Sequence, residues 1–237
     1  MSTALDFSIN HSPDFPLLEL RLAAGQQVFA EPSAMVTMSP SLDMSAGIKG
    51  GLVKGLGRAL GGESLIVNTF TAKAGRAELA LAPGGLGDVM HYNVGATGTG
   101  LMLQSGAFLA HGQGVSINGK WGGARGFFSG NGLVMLRASG SGDLFFNGFG
   151  AVLPVDVDGG YIVDTGYVLA FEETLNYEVT TVPGLRPRGL GKLKTFFLGG
   201  EGLVCRFSGR GKVWVQTRQI GSYLGWVYPF RPTKNRG

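Results

Sequence analysis

The feature that most constrains this chain is an apolar strand-like run, a small Ser-Gly-x-Gly turn and a second run, used more than once. The copy over Phe128–Leu144 contains Gly130-Asn131-Gly132 and then Ser139-Gly140-Ser141-Gly142. The copy over Phe197–Val215 contains Gly200-Glu201-Gly202 and then Ser208-Gly209-Arg210-Gly211. Gly130 and Gly132 match Gly200 and Gly202 at an offset of 70, and Gly140 and Gly142 match Gly209 and Gly211 at 69, so one residue is lost in between. A fainter copy aligns Gly75 with Gly140 and Leu79 with Leu144. The segment in front repeats too, as Ala34–Met38, Gly106–His111 and Gly166–Phe171. Leu18, Leu20 and Leu22 alternate with Glu19 and Arg21, the period of a strand with one dry face. The expected fold is all-β, with three tandem β-sandwich units over 14–88, 89–144 and 145–220, then an aromatic and basic tail over 221–237.

Glycine is abundant, 42 of 237 residues, with no triplet period that would make it collagen. Apolar residues form 44% of the chain, too many for a Gly-rich disordered segment, so the glycines mark turns. Gly47–Gly62 interrupts the first unit, within an excursion over 45–62. There Ile48, Leu52, Leu56 and Leu60 recur every four residues, which suits a short amphipathic helix near 47–60. The seven glycines of Gly47–Gly62 oppose that helix at about 1 kcal/mol each. Either it packs on the β body or it meets a membrane surface. Asn118-Gly119, Asn131-Gly132 and Asn147-Gly148 each lie between apolar runs and read as hairpin turns.

One cysteine, Cys205, allows no internal disulfide, and no run approaches the roughly 18 apolar residues of a spanning helix. The N-terminus lacks a basic-then-apolar leader, so a cytoplasmic protein is expected. Charge is unevenly spread. Residues 186–237 hold eleven basic residues and one acid, hence +10, whereas 1–185 hold nine basic and fifteen acidic residues, hence −6. That imbalance fits an anionic partner, self-complementary assembly, or a solvated surface.

Tests for chemistry come out largely negative. Gly114–Lys120 fits seven positions of a phosphate loop, but Trp121 stands where the magnesium-binding hydroxyl belongs. Asp156-Val157-Asp158-Gly159 starts like a calcium loop, yet Tyr167 occupies the place of its bidentate glutamate. Glu172 and Glu173 are neighbours on a strand and point to opposite faces. His11, His91 and His111 are scattered, and Cys205, aligned here with Met135, reads as a core hydrophobe. An enzyme is not expected, and neither a cofactor nor a metal is implied. The constellation that remains is Arg186, Arg188, Lys192, Lys194, Trp226, Tyr228, Phe230 and Arg231, cations with aromatics near the C-terminus. Such a set can bind nucleic acid or another anionic surface, such as a membrane, or can dock on a neighbouring subunit.

Ala34-Met35-Val36, Gly61-Gly62-Glu63-Ser64, Ser105–Ala110, Gly199–Leu203 and Gly209–Thr217 together resemble the altered inheritance of mitochondria family of mitochondrial biogenesis proteins and its bacterial relatives. The resemblance covers roughly 15–218. It implies a fold akin to the trp RNA-binding attenuation protein and a homotrimer in which nine units form a ring. It implies no catalytic residues. A ring has a physical motive here, because strand units in a row leave two open edges that invite pairing. The expected role is therefore a scaffold or binding module, the alternative a nucleic-acid or anionic-surface binder.

Overall fold

Strand formation follows the alternation of side chains. In β2 (Leu17–Leu22), Leu18, Leu20 and Leu22 are buried while Arg21 is exposed, so one face is dry and the other wet. The structure, a computed structural model, describes residues 4–48, 66–96, 98–119, 135–182 and 203–231. The first set of strands comprises β1 (Asp6–Asn10), β2, β3 (Gln27–Ala30), β4 (Met35–Met38), β5 (Leu42–Ile48), β6 (Ile66–Ala72) and β7 (Ala77–Leu81). The second comprises β8 (Val89–Val94), β9 (Leu101–Gln104), β10 (Phe108–Gly112), β11 (Val115–Asn118), β12 (Met135–Gly140) and β13 (Gly142–Asn147). The third comprises β14 (Val152–Asp164), β15 (Val168–Glu172), β16 (Asn176–Thr181) and β17 (Leu203–Gln216), followed by a short helix, α1 (Ile220–Val227).

The protein is all-β, and its pairing pattern recurs. β2 pairs with β7 and β7 with β4; β8 pairs with β13 and β13 with β10. In the third set the front half of β14 pairs with the back half of β17, and β17 with β15. A second group also repeats: β5-β6-β3, then β11-β12-β9, then β16 and the back half of β14 on either side of β17. Two long strands in the third set thus continue what are separate strands in the first two. The same irregularity recurs in β4, β10 and β15, as a register shift between Met35 and Thr37, Phe108 and Ala110, and Val168 and Ala170.

Sets join through antiparallel edge pairing. β3 pairs with β10, with Ala30 opposite Ala110 and Phe29 opposite His111. β9 pairs with β15, with Leu103 opposite Ala170 and Met102 opposite Phe171. Each junction closes a sheet drawn from two consecutive sets, β5-β6-β3-β10-β13-β8 in one case and β11-β12-β9-β15-β17-β14 in the other. The remaining sheet, β1-β2-β7-β4, has a set on one side only.

Three apolar clusters lie between the sheets. The first includes Leu18, Leu20, Leu22, Phe70, Leu79, Leu81 and Phe145, and the second Leu101, Leu103, Phe108, Leu144, Phe146 and Trp214. The third includes Met102, Phe171, Cys205, Phe207 and Val213. Each fully buried leucine or phenylalanine contributes about 1.5–3 kcal/mol. The turn between β12 and β13 needs its glycine: Gly140 has φ +101°, and a Cβ there would lie 2.1 Å from the Gly114 carbonyl oxygen.

Several expectations shift. Gly47 and Ile48 end strand β5, and the rest of the 47–60 segment lies outside the described residues. Register places Leu136 opposite Leu103 and Cys205 opposite Val163, so Cys205 corresponds to Leu136, one position from the sequence alignment. Asn147-Gly148 is not a hairpin turn. Both edges of β13 are already occupied, by β10 and β8, so the chain crosses to pair β14 with β17 instead. Asn118-Gly119 does leave β11 toward its partner β12, but through a connection running to Met135.

Candidate functional site

Most of the residues tested for chemistry serve a structural contact. Val115–Asn118, the heart of the phosphate-loop match, is strand β11 and pairs with β12. Asp156 and Asp158 sit on β14 and meet Lys212 (3.3 Å) and Arg210 (2.9 Å) across the ladder. Part of the acidic-front, basic-back imbalance is thus met inside one chain. Glu172 accepts from the Tyr92 hydroxyl (3.2 Å) and the Lys212 backbone N–H (2.9 Å), while Glu173 pairs with Arg137. His91 Nε2 lies 2.8 Å from Asp143 Oδ1, and the other oxygen of that buried carboxylate accepts from Leu5 N–H at 2.8 Å. His111 stacks on Phe29 at 4.9 Å, and His11 sits elsewhere in a turn. Cys205 is buried, which pushes its thiol up to about 12. Among the described residues no group of three or more His, Cys, Asp or Glu side chains could hold a metal ion.

Two sheet edges stand out instead. β4 pairs with β7 on one side, and no described strand pairs with its other side. All four of its residues are exposed, including Val36 at 52% and Met38 at 38%. The matching residues of β10 and β15 are covered: Leu109 and His111, Leu169 and Phe171 are 2% exposed or less. The second open edge is the back of β14, Tyr161–Asp164, where Tyr161 is 39% and Ile162 47% exposed. Their counterparts are Leu101 and Met102 in β9 and Val28 and Phe29 in β3, all buried. Tyr161 and Ile162 also line a groove of about 540 Å³ that reaches over the paired β17 and β16, with Tyr177, Arg206 and Phe207 among its other residues.

At the internal junctions one facing pair is His111 with Phe29, then Phe171 with Met102. The positions left over are Met38 on β4 and Ile162 on β14, two apolar side chains as at the second junction. The neighbouring pair is Ala110 with Ala30, then Ala170 with Leu103, leaving Thr37 and Val163.

The tail forms the second candidate. No residue of α1 is buried, and Ile220 (60%), Leu224 (55%), Trp226 (67%), Tyr228 (59%) and Phe230 (75%) face solvent. Tyr223 touches the body through Phe149, with ring centroids 5.3 Å apart. Trp226 and Phe230 rings lie 5.8 Å apart, and the Arg231 guanidinium stacks 3.9 Å above Tyr228. The structure therefore brings together Trp226, Tyr228, Phe230 and Arg231, while Arg186, Arg188, Lys192 and Lys194 lie outside the described residues. Sequence reading found the tail by composition and expected an open edge on the first and the third unit, but not which strands carry them. No helix among the described residues is long and apolar enough to cross a membrane.

Known proteins share this architecture. An uncharacterized protein of Streptococcus pyogenes serotype M6 is 28% identical over 239 residues, covering 97% of this chain and 92% of its own. The X-ray crystal structure of a Streptococcus pyogenes protein superposes with a TM-score of 0.74 at 25% identity, covering 96% of this chain and 100% of that one. The family model described as mitochondrial biogenesis AIM24 matches residues 7–218, from the first strand to the root of the tail. The chain belongs to the mitochondrial biogenesis AIM24 family.

Proposed function

We propose that the protein is a non-enzymatic scaffold whose copies join head to tail into a closed ring, a homotrimer. The observation that carries this is the pair of open edges. β4 lacks the partner that β10 and β15 have, and Tyr161–Asp164 lacks the partner that β3 and β9 have. Joining them in the internal register sets Thr37 opposite Val163 and Met38 opposite Ile162, and completes the half-sheet β1-β2-β7-β4. Unpaired edges with exposed apolar side chains are an aggregation hazard, and closure removes it. A head-to-tail contact is heterologous, and it yields a finite assembly only when the rotation closes. Three chains with three strand sets each match the ring implied by the sequence resemblance.

Molar mass in solution tests this. Three times the chain mass of 24.8 kDa is expected for the native protein, and monomer for Met38→Glu and for Ile162→Glu. A monomeric native chain, or variants that assemble unchanged, overturns the ring. A second role, engagement of an anionic partner by the tail, is favoured by the exposed aromatic and cationic side chains at its end.

A further inference from the structure

We propose that the tail from Arg218 to Arg231 is an interfacial anchor that docks on an anionic lipid surface. Four features of the tail carry this. First, the segment Gln219–Phe230 contains no charged residue, yet it displays Ile220, Leu224, Trp226, Tyr228 and Phe230 to solvent. A short helix with no buried residue has no packing reason to be this apolar. Second, the cations flank the block, with Arg218 before it and Arg231 after it. From 218 to 237 the sequence holds four basic residues and no acid, a net +4. Third, Tyr223, Trp226 and Tyr228 join an apolar ring to a polar tip, the chemistry that settles at the headgroup boundary. Fourth, the last strand ends at Gln216 and the family match at residue 218, so the tail stands outside the strands of the sandwich body.

The arrangement separates lipid from nucleic acid. Single-stranded nucleic acid is held by cations interleaved with stacking aromatics along a groove. Here an uncharged block stands between cations, and its aliphatic Ile220 and Leu224 have nothing to offer a base stack. A bilayer accepts both parts, burying apolar side chains at the acyl boundary while arginines meet anionic headgroups. The anchor does not require the ring. In a cyclic assembly, however, every tail lies on the same face, and several weak anchors then engage one surface together.

The test uses the full chain and sedimentation with vesicles of phosphatidylcholine, alone or mixed with phosphatidylglycerol. Binding is expected with the mixed vesicles and little with the neutral ones. Trp226→Ala with Phe230→Ala should weaken binding by about tenfold or more, because two interfacial aromatics are lost. Removing one cation, in Arg218→Gln or Arg231→Gln, should weaken it by about fivefold. Folding of each variant is checked by the far-ultraviolet dichroism of the β body. Absence of binding to anionic vesicles, or binding unchanged in the aromatic variant, overturns the anchor. So does an oligonucleotide affinity that falls in these variants while vesicle binding does not. A lower molar mass of the aromatic variant without vesicles also overturns it, by making the tail a subunit contact. A native chain that is monomeric but binds anionic vesicles through these residues refutes the ring and leaves the anchor standing.

Discussion

Cys205 and Trp214 show what single side chains contribute to the body. Cys205 is wholly buried, and desolvation raises its pKa from 9.0 to about 12. The folded thiol therefore holds its proton more tightly than the unfolded one. Its contribution is complete below about pH 9 and is lost as pH rises from there toward about 12. Cys205→Val is expected to flatten the alkaline part of the stability curve relative to the native chain, measured by denaturant titration between pH 8 and pH 11, a window set by the unfolded and folded values. A thiol reagent should label the native protein only as fast as it unfolds. Trp214 is 4% exposed and meets Tyr92 and Phe146 edge-on, with centroids 5.4 and 5.8 Å away. Phe145 and Ala80 face the β10 and β4 positions that correspond to its partner Ala170, so this site takes different volumes in different copies. Trp214→Ala should cost about 3–5 kcal/mol by equilibrium denaturation, the usual range for emptying an aromatic site.

At the level of strands, what was legible in the sequence was what local pattern encodes. Leu18, Leu20 and Leu22 announce β2 by alternation, and the matched Met38, His111 and Phe171 announce three strands that share one bulge. What pairs with a strand is not local, so Asn147-Gly148 passed for a hairpin although both edges of β13 were spoken for. The helix α1 also escaped, since eight residues with two glycines carry little helical propensity. Of the candidate site, the exposed aromatics were visible as composition. That two edges stay open was expected from the repeat, but which strands form them was hidden, because openness depends on partners far along the chain. Their proposed register is open to direct trial. Thr37→Cys with Val163→Cys, in a Cys205→Val background, should cross-link copies on mild oxidation. Non-reducing electrophoresis should then show a ladder that stops at three chains; a ladder that continues upward would mean an open filament.

At the scale of the whole molecule, the chain resembles a length cut from a longer periodic object. Two junctions are made internally, by β3 with β10 and by β9 with β15, while β4 and the back of β14 keep matching edges with no strand partner among the described residues. The junctions need not be equal. Stacked His111 and Phe29 meet at the first, Phe171 and Met102 at the second, and Met38 would meet Ile162 at the one between chains. The tail leaves from Gln219, just past the last strand and two residues after Thr217, whose N–H bonds the Ala151 carbonyl at 3.0 Å. It therefore hangs from the third strand set only, and a symmetric assembly would display one anchor per chain.

The two ends of the chain are different surfaces, and this has a consequence for mixtures. In the proposed ring, a copy carrying Ile162→Glu would keep a sound β4 and lose only its other end, so it would be received by a neighbour but would not receive one. Added to native chains, such a copy should act as a terminator, leaving capped fragments in place of finished assemblies. Its inhibitory strength should exceed its mole fraction, since one faulty member spoils the whole circle.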